Sequence, residues 1–165
     1  MIEVALTSLA AFPQKLELCY SLFPQSMRNW RPSSWEGVPS EHLTAIEQIC
    51  HVLDIERDGY QLRFRRMLDE EHPVLPDIAG EQLAFDRQYA AANAEDVLRE
   101  FRVARKATIS LLSALSKDEL LRTGVFEGVP ISIGGLIHML CSHDSQHLAG
   151  LHWLLGKMTG LSHEG

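Results

Sequence analysis

The sequence offers no run of about 18 unbroken apolar residues, which excludes a membrane-spanning helix. Its first stretch, "MIEVALTSLAAFPQKLELCY", sets a glutamate where a secretory leader carries basic residues and reaches Pro13 and Lys15 early, so a cytoplasmic protein is expected. Cysteine is scarce: Cys19, Cys50 and Cys141 are odd in number, widely spaced and lack a CxxC pair. That pattern excludes a disulfide framework and a thioredoxin-type centre, and reads as buried thiols. Positive charge is also short, with 15 Lys and Arg against 22 Asp and Glu and a net charge of −7. The one basic cluster, "RFRRML" at 63–68, is followed at once by "DEEH", so no nucleic-acid partner is expected. No GxSxG, P-loop or dinucleotide fingerprint is present. Nor is there an internal repeat, low-complexity tract or linker, so residues 1–165 are read as one domain.

What is there is helical periodicity in a chain that is 45% hydrophobic. A first helix is expected from about Thr7 to Leu22, with Pro13 kinking it or starting its main part. The polar connection "RNWRPSSWEGVP" follows, and its Trp30 and Trp35 are expected against the bundle. Ser40 is positioned to cap a long second helix reaching about Leu68, in which Ile46, Ile49, Cys50, Leu53, Tyr60, Phe64 and Met67 keep helical spacing. Two prolines and a glycine make "HPVLPDIAGEQLAFDRQYAAA" an irregular crossing, expected to contain one short helix. Asn93 caps a third helix to about Leu115, "SKDELLRTG" is a capped single turn, and "VFEGVPISIGG" suits a short extended excursion. Ser132 or a neighbour opens the last helix, which runs to about Met158. The expected fold is therefore all-α: an up-down-type four-helix bundle with one long irregular crossover.

The histidines carry the chemistry. In "CSHDSQHLAGL" (141–151), His143 and His147 share one helix side, because four residues advance about 400°. They interrupt a stripe of Leu136, Leu140, Leu151 and Leu154, so the pair points inward. His138 and His152 fall on a small, polar strip of the same helix and are expected to be exposed. His42, His72 and His163 lie at a helix start, in a loop and at the tail. His51 sits within the second helix, on a side shared with Glu47, Asp54 and Asp58. Three neutral imidazoles on facing helices suit zinc, nickel or ferrous iron. The same residues also suit core histidines hydrogen-bonded to neighbours, or a wet groove.

The order of features resembles the DinB-like or YfiT-like family. A tryptophan-containing loop, "SSWEGVPSEH", leads into "ICHVLDIER", and much later "VPISIGGLIHMLCSHDSQHLAGL" is similar to the family's closing segment with its H-x-x-x-H. The resemblance covers roughly residues 8–155. It implies a metal-dependent enzyme on a four-helix bundle, with His51, His143 and His147 matching the family's three metal-binding histidines. The cofactor it implies is a divalent metal, zinc or nickel, with ferrous iron as a further choice. Some family members are thought to transfer low-molecular-weight thiols such as bacillithiol or mycothiol, while many have no assigned substrate, and the family name implies no DNA chemistry.

Three protein ligands leave a metal position open, where water or a thiol becomes a nucleophile near neutral pH. The expected partner is a small-molecule substrate, with such a thiol as cosubstrate; no membrane is expected, and the exposed faces of such bundles suit a homodimer. Asp54 and Asp144 are candidates to orient an imidazole or to act as general base, with Glu47 behind them. For Asp144 an arginine partner is the alternative. Glu56 and Arg57 are read as inter-helix ion pairing, and Cys50 and Cys141 lie near the histidines without sharing their phase. A reading of another class is a non-catalytic metal- or ligand-binding stress-response bundle.

Overall fold

The computed structural model describes residues 2–161. Helix α1 spans Ile2–Ser21 and carries Pro13 within it. Proline has no N–H, so the Leu9 carbonyl one turn earlier loses its ladder partner. Arg105 replaces it, donating from Nη1 to that carbonyl at 3.1 Å. Pro13 itself is buried, and α1 continues through it instead of starting there.

A long connection with one 3₁₀ turn (Gln25–Met27) leads to α2, Ala45–Asp54. Thr44, not Ser40, is its cap, and Glu47 Oε2 accepts from the Thr44 backbone N–H at 2.8 Å. From α2 the chain winds without interruption through a π-helical stretch, Ile55–Gln61, into α3, Leu62–Asp69. A π-stretch advances the chain by less rotation per residue than an α-helix, so side chains after it face a different direction from those before it. The crossing that follows holds α4 (Gly80–Asp86) and a 3₁₀ turn (Tyr89–Ala91). Helix α5, Ala94–Ser113, begins where Asn93 Oδ1 accepts from the N–H groups of Glu95 and Asp96 at 3.0 and 3.2 Å.

The one-turn helix α6, Lys117–Leu120, is capped by Ser116 and precedes an antiparallel hairpin, β1 (Thr123–Phe126) and β2 (Val129–Ser132), with Phe126 opposite Val129. Its turn residues Glu127 and Gly128 both have positive φ, +51° and +78°, as a tight two-residue hairpin requires. The crossing adds to this hairpin through a parallel bridge from Val74 to Val125. Helix α7, Ile133–Leu161, completes the bundle.

The four long helical segments are α1, the α2–α3 rod, α5 and α7. Helix α1 packs on α5 and α7, and α2 packs on the same two, so α1 and α2 stand at opposite corners. The connection over 22–44 is long enough to reach across the bundle. Apolar side chains fill the centre from both ends: Leu16, Ile49 and Phe101 towards one, and Leu9, Phe64 and Leu136 towards the other. Trp30 and Trp35 lie against the first of these groups, and Trp35 stacks on Trp153 with ring centroids 6.0 Å apart. Among the described residues, no helix is long and apolar enough to cross a membrane.

Candidate metal centre

Helix α2 lays His51 against α7 at the level of His143 and His147. The three residues can each offer one ring nitrogen, and those atoms all lie within 4.8 Å of one another. Nε2 of His51 is 3.2 Å from Nε2 of His143. His147 is wholly buried and His51 is 1% exposed. A glycine makes the close approach of the crossing tolerable: a Cβ at residue 80 would stand 2.5 Å from Cε1 of His51.

The tautomer of His147 follows from its neighbour. Gln48 uses its amide nitrogen to donate to Ser40 Oγ at 2.7 Å and to the Leu43 carbonyl at 3.3 Å. Its amide oxygen is therefore turned to His147, where it accepts from Nδ1–H. That leaves a bare lone pair on Nε2. Among the described residues, His147 Nε2, His51 Nδ1 and His143 Nδ1 are buried without a hydrogen-bond partner. Unpartnered buried nitrogens are costly, and each of the three rings carries one.

Burial also sets the charge state. It drives the His143 imidazole down to about 3, helped by His51 and by the guanidinium groups of Arg105 and Arg63. His147 is held well below the usual histidine range by burial and by the other two imidazoles. Burial lowers His51 as well, against the opposing pull of Glu41 and Asp54. Neutral imidazoles keep their lone pairs, the form in which histidine binds a metal.

The cluster opens on a cavity of about 310 Å³ whose wall includes Glu41, Tyr60, Arg63 and Phe126 beside His51 and His143. Arg63 is 3% exposed. Its Nε donates to the Pro76 carbonyl at 3.0 Å, and its guanidinium lies 4.3 Å from the Phe126 ring centre. Glu41 reaches the histidines from the loop before α2: Oε1 is 3.5 Å from His51 Nε2, and Oε2 is 3.4 Å from His147 Nε2.

The carboxylates singled out from the sequence lie elsewhere. Asp54 accepts from Tyr89 Oη at 2.5 Å and pairs with Arg87 at 2.7 Å, fastening the crossing to α2. Asp144 turns away from the imidazoles to Arg105, accepting at 2.6 and 2.9 Å. Of the two partners weighed for it, the arginine is the one the structure provides, on α5 inside the bundle and not at its surface. Glu47 caps α2 and pairs with Arg31 at 2.7 Å. Glu56 binds Arg105, and Arg57 binds Glu100, so both link the rod to α5.

Burial pushes the Cys50 thiol up to about 12 and that of Cys19 to about 11, which leaves them inert as nucleophiles. His138 and His152 are exposed, His42 stacks on Trp35 and His72 bonds Thr123 Oγ1, whereas His163 lies outside the described residues. Gln48, Glu41 and Arg63 were not singled out by sequence. Gln48 carried one usable signal, a polar residue three before His51 among buried positions, whereas loop-borne Glu41 carried none.

A family model described as the DinB superfamily matches residues 14–151. Among solved structures, the chain is similar to YfiT from Bacillus subtilis, with a TM-score of 0.81, 17% sequence identity, and coverage of 95% of this chain and 87% of that one. YfiT is described as a probable metal-dependent hydrolase with an unusual four-helix bundle topology. No curated protein matches the chain.

Proposed function

The chain belongs to the DinB superfamily, and from that premise we propose that it is a divalent-metal-dependent enzyme acting on a small molecule. His51, His143 and His147 hold the ion, with zinc or nickel favoured and ferrous iron also suited to imidazole donors. When bound, such an ion supplies a Lewis acid that makes water, or a low-molecular-weight thiol, nucleophilic near neutral pH for hydrolysis or transfer.

The observation that carries this reading is the convergence of three imidazole nitrogens from α2 and α7 within 4.8 Å, two from buried residues and one from the half-buried His143, with His51 and His143 92 residues apart in the chain. Gln48 holds His147 in the tautomer that presents Nε2. Burial keeps the set neutral and ready to donate. The adjoining cavity is of a size for a small molecule, and Arg63 gives its wall a positive group that favours an anionic substrate part. The likeness to YfiT, itself described as a probable metal-dependent hydrolase, supports the same direction.

Metal analysis of protein purified without a histidine tag or added metal tests the proposal, paired with His147→Ala. About one ion per chain is expected in the wild type, and none in a variant that keeps its helical circular dichroism. A wild type that binds no zinc, nickel or ferrous iron, or a variant that binds as the wild type does, overturns it.

A further inference from the structure

We infer that Glu41 is a fourth protein ligand of this centre, completing a three-histidine, one-carboxylate set on the side that faces the cavity. The inference rests on the metal-binding reading above and extends it to a residue outside the two helices that supply the histidines.

Three observations carry it. The first is spacing. Donors arranged tetrahedrally around an ion with bonds of about 2.1 Å stand about 3.4 Å apart. The observed separation between Nε2 of His51 and Nε2 of His143 is 3.2 Å, and the two oxygens of the Glu41 carboxylate divide between the other contacts, Oε1 3.5 Å from His51 Nε2 and Oε2 3.4 Å from His147 Nε2.

The second is electronic. Nδ1–H of His147 is already given to Gln48, so its Nε2 turns a lone pair toward a carboxylate oxygen. Two electron-rich atoms face each other with no proton assigned between them. A cation between them relieves this.

The third is anchorage. Glu41 does not dangle: its carbonyl accepts from Leu43 N–H at 2.7 Å and from Ser40 Oγ at 3.2 Å. The next residue, His42, donates its backbone N–H to Glu81 at 3.1 Å. Ser40 Oγ in turn accepts from Gln48, the side chain that fixes His147. One amide thus positions both the histidine and the loop that brings the carboxylate. Gly150 permits this, since a Cβ there would lie 2.3 Å from Ser40 Oγ.

Glu41 differs from the histidines in being 39% exposed and borne on a loop. A rigid trio with one looser carboxylate ligand defines where an incoming molecule joins the ion: at the Glu41 corner, on the cavity side.

The test loads the full chain with cobalt(II), whose visible bands are intense in four-coordinate sites and weak in six-coordinate ones, and measures zinc affinity by competition with a chromophoric chelator. Wild type, Glu41→Gln, Glu41→Ala and His147→Ala are compared. Intense bands in the wild type are expected, with altered bands and at least about tenfold weaker zinc binding in both Glu41 variants. Unchanged bands and affinity in both Glu41 variants, with binding abolished in His147→Ala, overturn the role of Glu41 and leave the histidine centre standing. Wild-type binding and spectrum in His147→Ala overturn the centre itself, and the role of Glu41 with it.

Discussion

Replacing Arg105 by Met should remove about 3–5 kcal/mol of folding stability, and the reason lies in the polar knot at the centre of the bundle. Arg105 is 1% exposed. Its Nε and Nη2 donate to Glu56 at 3.0 and 2.9 Å, its Nη1 and Nη2 to Asp144 at 2.6 and 2.9 Å, and its Nη1 to the Leu9 carbonyl. Both carboxylates are as buried as the guanidinium, with side-chain exposures of 0% and 5%. Methionine fills much of the same volume but abandons two acidic groups and a carbonyl out of reach of water. Because the cost comes from those stranded groups, neutralising them should recover most of it: the triple variant with Glu56→Gln and Asp144→Asn should approach wild-type stability.

Acid should act in the same way. One guanidinium serves two buried carboxylates, and burial pushes the Asp144 carboxyl up to about 6, above its ordinary 3.8. A raised carboxyl contributes stability that is present below its unfolded value and lost as pH rises through its folded one. Arg105 is what holds that carboxyl down, so in Arg105→Met it rises further and gains more from protonation than in the wild type, and the gap between the two should narrow between about pH 7 and about pH 5. Urea unfolding followed by circular dichroism measures all of this, and the single variant should melt roughly 6–20 °C lower. A loss under about 1 kcal/mol, or no recovery in the triple variant, refutes the reasoning.

Gly80→Ala should cost about 1–3 kcal/mol through overpacking and weaken zinc binding, since the new methyl would meet the His51 ring at 2.5 Å. Unfolding curves and chelator competition check the two effects separately. Metal-free protein should lose stability as pH falls below about 6.5. His143 has a folded value near 3 against 6.5 unfolded, so this group alone removes about 2 kcal/mol by about pH 5. His51 and His147 act in the same sense, Asp144 in the opposite one, and three imidazoles outweigh one carboxyl. Urea midpoints that stay flat from about pH 7 to about pH 5 would contradict this. Saturating zinc should raise stability at each pH yet keep the downward slope, because the histidines of the unfolded chain still take up protons while coordinated ones do not.

Helical periodicity carried the bundle, the caps at Asn93 and Ser116, and the inward pair on α7, because each rests on contacts a few residues apart. It also brought out His51, whose mid-helix position survives any error in the helix ends. What it missed depends on distance in the chain. Asp54 shares a helix side with His51 and Asp144 directly follows His143 in sequence, yet their partners, Arg87 with Tyr89 and Arg105, come from elements that phase does not relate. The start of α1 at Ile2 escaped because Pro13 reads as a breaker until an arginine 92 residues later supplies the missing donor to the Leu9 carbonyl. The π-stretch left no mark in composition, and Glu41 sits in a loop whose path is set by Gln48 and Glu81.

The gap that Pro13 opens in the backbone ladder of α1 has a use beyond tolerance. An ordinary α-helix shows its neighbours side chains alone, and it can slide by a turn with modest penalty if its apolar stripe repeats. Here one main-chain oxygen is turned outward at a single height, and one guanidinium on α5 fits it. A shift of α1 by even one residue, about 1.5 Å, would strand that oxygen in an apolar interior. The proline thereby sets the vertical alignment of the first and third long helices, and a residue that looks like a defect selects one packing of the bundle over its near neighbours.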